Sequence, residues 1–114
     1  MSDKFPHTLD YRDIIAEARQ GRWGKVRIDG PLDLRTSIDP VALQTKGISS
    51  PLEGHADALI FPDIEAANTF YKAVTFLAHN ETAGMLCGTT CPVVLPSRGD
   101  DVQTKYNSIA LAIL

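Results

Sequence analysis

The sequence predicts an α/β domain in which a largely parallel sheet carries helices on both faces. Three observations predict it. Short apolar runs alternate along the chain with segments whose apolar residues recur at helical spacing. The clearest of these runs, Ala58 to Phe61, is apolar throughout, the pattern of a strand covered on both faces. Gly or Pro stands where several runs end and the chain has to turn. Strands alternating with helices assemble into layered α/β domains, with ligands gathering at the C-terminal strand ends.

Asp10 reads as an N-cap, and Tyr11, Ile14, Ile15 and Ala18 share one face until Gly21 ends the segment, so an amphipathic helix is expected there. Lys25-Val26-Arg27-Ile28 reads as a short strand running into the turn Asp29-Gly30-Pro31. Residues 32–55 are polar and punctuated. Within them Asp39 followed by Pro40 pairs a cap with proline at the first helical position, which predicts a short helix up to Gly47. Ala58 to Phe61 is the next strand, closed by Pro62. Asp63 is then placed to cap a helix in which Ile64, Ala67, Phe70, Val74 and Leu77 repeat through to about Asn80. Residues 83–87 and 92–95 are two more short runs, parted by Gly88-Thr89-Thr90. A last helix is expected from near Asp100 to Leu114, with Val102, Tyr106, Ile109 and Ile113 on one stripe.

At 114 residues, 44% hydrophobic and 22% charged, the chain has the makings of one ordinary globular domain, and composition favours no function class. The net charge of -3, without a basic stripe, argues against a nucleic-acid partner. No apolar stretch approaches membrane-spanning length, and the polar opening from Met1 to Asp10 lacks a signal-peptide core. A cytoplasmic location and no membrane partner are therefore expected. Cys87 and Cys91 stand three residues apart with no second Cys or His pair beside them, so they read as reduced packing residues. His7, His55 and His79 are scattered without a ligand spacing, and no metal is expected. Trp23 reads as a core or interface anchor.

The segment from Val94 to Asp101 carries the most chemistry. There a strand ends, Ser97 and Arg98 appear in a loop containing Gly99, and a helix begins at Asp100. Free N–H groups at a helix start attract a phosphate, and a guanidinium fork matches its oxygens two at a time. The same residues also fit a plain turn, with Asp100 as cap, Ser97 serving a loop carbonyl and Arg98 solvated. Asn68 and Lys72 stand four residues apart, hence on one helical face, either toward an anionic ligand or toward solvent.

Together these segments resemble the phosphate acetyl and butyryl transferase family across about residues 11–114. The anchors are Asp29-Gly30-Pro31-Leu32, Lys46-Gly47-Ile48, Ser50-Pro51, the run from Ala56 to Asn68, Tyr71-Lys72, Pro92 to Leu95 with Ser97-Arg98, and Lys105 with Asn107 to Ala112. The resemblance implies the C-terminal portion of a two-domain, three-layer α/β/α enzyme similar to isocitrate and isopropylmalate dehydrogenases. On that reading residues 1–95 belong to the C-terminal α/β domain, and residues 96–114 form the catalytic loop and a final helix returning to an N-terminal domain.

It also implies transfer of a short acyl group from acyl-CoA to phosphate, with no tightly bound cofactor, no metal, and coenzyme A as substrate. Ser97 and Arg98 would be catalytic, and Gly30, Pro31, Asn68, Lys72, Gly99 and Asp100 would bind substrate. Thr104 and Phe76 depart from the acetyl branch, which has an aspartate for the CoA thiol and an arginine at those places, and move the resemblance toward the butyryl branch. Ala67 stands where a glycine is usual. Because family members are much longer, the chain is expected to be inactive or nearly so alone. The exposed stripe on its last helix would favour a homo-oligomer or an N-terminal acyltransferase half as partner. The competing reading is a non-catalytic CoA- or phosphate-binding module of the same fold. A nicotinamide reductase is disfavoured, since no Gly-x-Gly-x-x-Gly follows an expected strand.

Overall fold

A computed structural model describes residues 3–114; Met1 and Ser2, the start of the polar opening, lie outside them. The chain divides into two compact units, one running through Pro62 and one of Asp63–Leu114.

In the first unit, helix α1 spans His7–Arg19, beginning three residues before the Asp10 expected to cap it. Pro6 has a helical φ of -55°, and Thr8 returns both its N–H and its hydroxyl to the Phe5 carbonyl. Those contacts start the helix without a side-chain cap. Asp10 sits instead in the first turn, where its charge meets the positive end of the dipole. Ile15 and Ala18 are buried, and Gly21 ends the segment at a φ of +80°. Helix α2, Leu34–Ile38, lies in a stretch that sequence patterning left without an element. Its cap is Asp33, which accepts from the Thr36 amide at 2.9 Å. Asp39 then ends α2 and caps α3, Pro40–Thr45, accepting from the Val41 and Ala42 amides, with Pro40 at the first position as the sequence predicts.

Helices α2 and α3 pack on each other. Thr36 is wholly buried, and Ser37, Ala42 and Leu43 are nearly so. The two hydroxyls are satisfied by the Asp33 carbonyl, so burying them leaves no unpaired donor. The Ser37 carbonyl accepts from the Ala56 amide at 3.0 Å and draws residues 54–56 against the helix pair. Gly54 reaches this position at a φ of +78°; a Cβ there would lie 2.6 Å from the Pro40 nitrogen. Only a residue without one fits.

In the second unit, Asp63 caps α4, Ile64–Lys72, by accepting from the Ala66 amide at 2.7 Å. The expected helix does continue past Lys72, but as a π-helical turn over Ala73–Leu77, closed by the Ala78 amide on the Ala73 carbonyl. His79 ends it at a φ of +52°. Helix α5 spans Val102–Ala112, and its cap is Asp101, whose carboxylate accepts from the Thr104 amide at 2.7 Å; Asp100, the expected start, lies outside it.

No run of strand forms among the described residues. The segments expected as strands at 25–28, 58–61, 83–87 and 92–95 are irregular, apart from an isolated antiparallel bridge between Leu86 and Val93. A strand covered on both faces persists only where neighbours complete its hydrogen bonds on each edge. Apolar residues of these segments stand exposed instead, Ile60 at 83% and Leu95 at 82%. The α5 stripe of Val102, Tyr106, Ile109 and Ile113 is exposed as well, while Ser108 on the same helix is buried. Cys87 and Cys91 are free and exposed, not packed; both lie in the loop between the two residues of this bridge. Trp23 is 45% exposed, with the Arg22 guanidinium 5.6 Å from its ring.

Candidate functional site

Residues 97–100 form a turn held from both ends. The Asp100 carboxylate accepts from the Ser97 amide at 2.8 Å, and the Asp100 amide donates to the Ser97 carbonyl at 3.1 Å. Asp100 makes this reciprocal pairing while Asp101 caps α5. The last two residues of α4 meet the turn. Tyr71 donates its hydroxyl to the other Asp100 oxygen at 3.2 Å, and the Lys72 ammonium donates to Ser97 Oγ at 3.2 Å. The π-helical turn begins directly after Lys72. Such widened turns inside helices frequently mark functional sites.

Tyr71, Ser97, Asp100, Gly84 and Ser108 border a hollow of about 220 Å³. Its floor is fixed by Ser108, which is 2% exposed. The Ser108 hydroxyl accepts from the Gly84 amide at 3.0 Å and donates to the Thr104 carbonyl at 2.7 Å. Pockets for drug-sized ligands run from about 300 to 1,000 Å³, so this one suits a small group.

Charge is distributed unevenly along the chain. The surface pairs Arg12–Asp13, Arg22–Glu17, Arg35–Asp39 and Lys46–Asp33 all lie before residue 50. Among the described residues neither Lys72 nor Arg98 pairs with a carboxylate, so the ammonium of Lys72 that reaches Ser97 keeps an unneutralised charge. The cap bond from the Thr104 amide, with that residue's hydroxyl and the nearby Lys105 charge, holds the Asp101 carboxyl below the usual carboxylate range. It therefore stays ionised at the start of α5.

Of the residues singled out from sequence, Ser97, Lys72 and Asp100 come together. Gly99 joins them through its amide, 3.5 Å from Ser97 Oγ, and an added Cβ there would meet open space. Arg98 is exposed and does not border the hollow, matching the solvated arm of the sequence reading. Asn68 is exposed one turn before Lys72 and borders neither cavity. Gly30 and Pro31, joined by a cis peptide bond, belong to the first unit. There they line a cavity of about 630 Å³ together with Tyr11, Ile15, Ile28 and Leu59.

Sequence reasoning missed Tyr71 and Ser108 as site residues. Tyr71 carried a signal in its place beside Lys72, whereas Ser108 is one of several polar residues along its helix and shows its role only when buried. Among the described residues no group of three or more His, Cys, Asp or Glu side chains gathers as a metal site. No described helix is long and apolar enough to cross a membrane.

Comparison with known proteins matches residues 1–113 to the family described as phosphate acetyl/butaryl transferase. The chain is 47% identical over 107 residues to a phosphate butyryltransferase of Clostridium beijerinckii, covering 94% of this chain and 35% of that protein. It is 42% identical over 112 residues to a phosphate acetyltransferase of Thermotoga maritima, covering 98% of this chain and 38% of that protein. The crystal structure of a branched-chain phosphotransacylase from Enterococcus faecalis superposes with a TM-score of 0.86 at 31% identity, covering 99% of this chain and 42% of the other. The chain thus spans little more than a third of the length of these curated relatives.

Proposed function

The chain belongs to the phosphate acetyl/butaryl transferase family, a family of enzymes, and from that membership we propose that it supplies the phosphoryl-binding part of a phosphate acyltransferase. The reaction is acyl-CoA plus phosphate to acyl phosphate plus CoA, acting in the cytoplasm on a butyryl or other short or branched acyl group. A phosphate oxygen attacks the thioester carbonyl carbon. A C–O bond forms while the carbonyl electrons move onto oxygen, then the C–S bond breaks and the phosphate proton ends on the departing sulfur.

Ser97 hydrogen-bonds the phosphoryl group, and Arg98 swings from solvent to hold two of its oxygens and to stabilise charge on the tetrahedral intermediate. The observation that carries this reading is the clustering of Ser97, Lys72 and the tied Asp100 before α5, with Lys72 and Arg98 both free of carboxylates. Gly30 and Pro31 bind substrate on the wall of the larger cavity, and Asn68 and Gly99 are assigned to substrate as well. The reading requires neither a metal nor a tightly bound cofactor.

Residues 1–95 form the C-terminal α/β domain, and residues 96–114 form the catalytic loop and a helix that returns to an N-terminal domain. The segments at 25–28 and 58–61 join a mostly parallel sheet once that domain is present. The exposed Ile109 and Ile113 support such a partner or a second copy. Alone, the chain holds only part of a cleft, loses the effective molarity of two aligned reactants, and is inactive or nearly so.

The test is a chimera in which this chain replaces the matching third of the Clostridium beijerinckii enzyme. It should form butyryl phosphate from butyryl-CoA, and Ser97→Ala should lower kcat by about 100- to 1,000-fold. An active chimera indifferent to Ser97→Ala defeats the assignment. Retained CoA binding with no turnover identifies a binding module instead.

A further inference from the structure

We propose that Lys72 serves the reaction through Ser97: its ammonium occupies the acceptor side of the serine hydroxyl and turns the hydroxyl hydrogen outward, toward a phosphoryl oxygen. The proposal rests on the assignment of Ser97 to that group and makes Lys72 a positioning residue.

An ammonium has donors and no acceptor, so across the 3.2 Å between Lys72 Nζ and Ser97 Oγ the serine oxygen accepts. The Gly99 amide approaches the same oxygen at 3.5 Å, a second and weaker donor. An oxygen approached by two donors has one thing left to offer, its hydrogen. Among the described residues the Ser97 hydroxyl donates to no protein acceptor, and the nearby acceptors of the turn are taken up by other donors. The Ser97 carbonyl accepts from the Asp100 amide, and the Asp100 carboxylate is shared between the Ser97 amide and the Tyr71 hydroxyl.

Lys72 is held in turn, with its ammonium 5.0 Å from the centre of the Tyr71 ring and no carboxylate partner among the described residues. Consecutive residues of α4 thus divide the work: Tyr71 fixes the backbone of the turn through Asp100, and Lys72 fixes the direction of the hydroxyl. A hydroxyl that accepts from a cation is also a better donor, because hydrogen bonds in a chain polarise one another.

The experiment uses the full 114-residue chain with inorganic phosphate as probe and compares Lys72→Met, Lys72→Arg, Ser97→Ala and the Lys72→Met/Ser97→Ala double variant. Without ligand, the Ser97 amide and Cβ resonances should shift in Lys72→Met and return toward their original positions in Lys72→Arg, while the Gly84 and Ser108 resonances of the same unit stay put and report an intact fold. Phosphate binding followed by 31P NMR should weaken about tenfold in each single Met or Ala variant, and the double variant should be no weaker than Ser97→Ala alone.

Losses that multiply in the double variant, to about a hundredfold, mean that Lys72 meets the phosphate independently and overturn the proposal. So do Ser97 resonances indifferent to Lys72→Met. If no variant binds phosphate, the wild-type chain included, the assignment of Ser97 to a phosphoryl group fails, and with it the proposal, even where the resonances show that the two side chains touch.

Discussion

The phenolic hydroxyl of Tyr71 donates to the carboxylate of Asp100 across 3.2 Å and 29 residues of sequence. Because the second oxygen of that carboxylate holds the Ser97 amide, the end of α4 sets the conformation of the loop that carries the candidate chemistry. Tyr71→Phe removes one hydrogen bond to a charged acceptor and keeps the ring under Lys72. The expected cost is about 1.5 kcal/mol of local stability, read as faster amide hydrogen exchange at Ser97 and Asp100 with little change in α1. Exchange unchanged at Ser97 shows that the turn holds itself.

Ser108 is the buried pin between α5 and the segment at Gly84. Ser108→Ala removes the acceptor of the Gly84 amide, which water can replace at that exposed residue, and should destabilise the second unit by about 0.5–1.5 kcal/mol, measured by urea unfolding followed at Tyr71 and Tyr106. Ser108→Val adds volume at a site that is 2% exposed and should cost more.

Gly54→Ala forces a Cβ to within 2.6 Å of the Pro40 nitrogen at a φ of +78°. Backbone on both sides has to move, and a loss of about 2–3 kcal/mol is expected, seen as a lower denaturation midpoint with an unchanged slope. Gly99→Ala, where the added atom meets open space, should leave the midpoint almost where it was.

Asp33 carries a pH signature. The hydrogen bond from Lys46, followed by that from the Thr36 amide, lowers its carboxyl to about 2 from an ordinary 3.8. A folded-state value below the unfolded one stabilises the fold above about pH 3.8, and the contribution is lost as pH falls toward 2. The melting temperature should therefore drop on acidification across that window, and the gap between wild type and Asp33→Asn should close there. A gap that is the same at pH 6 and pH 2 refutes the linkage.

Local chemistry was legible from the residues alone wherever one side chain acts on its own backbone. Asp63 and Asp39 cap the helices assigned to them, Pro40 stands at a helix start, and Gly21 and Gly47 take left-handed conformations past helix ends. Each effect is settled within about four residues. Errors arose where two neighbours competed for one task. Asp100 and Asp101 are both suited to capping α5, and the choice went to Asp101 because Asp100 is held by Tyr71. Asp10 lost the start of α1 to Pro6 and Thr8, whose local bonds form earlier in the chain.

The family was written in the order and spacing of short segments such as Asp29-Gly30-Pro31-Leu32 and Ser97-Arg98, and the comparisons bear that out. What the sequence by itself determined is therefore ancestry, the caps and turns closed within a few residues, and which residue types stand near Ser97. Only the tertiary structure decided that Lys72 reaches the serine oxygen while Arg98 stays in solvent, and that Ser108 is buried while the apolar stripe beside it is exposed. The physical reason is range. Caps and turns are closed by atoms a few bonds apart, whereas a lysine meets a serine 25 residues away only when packing brings their segments together, and strands form only when partners complete their edges.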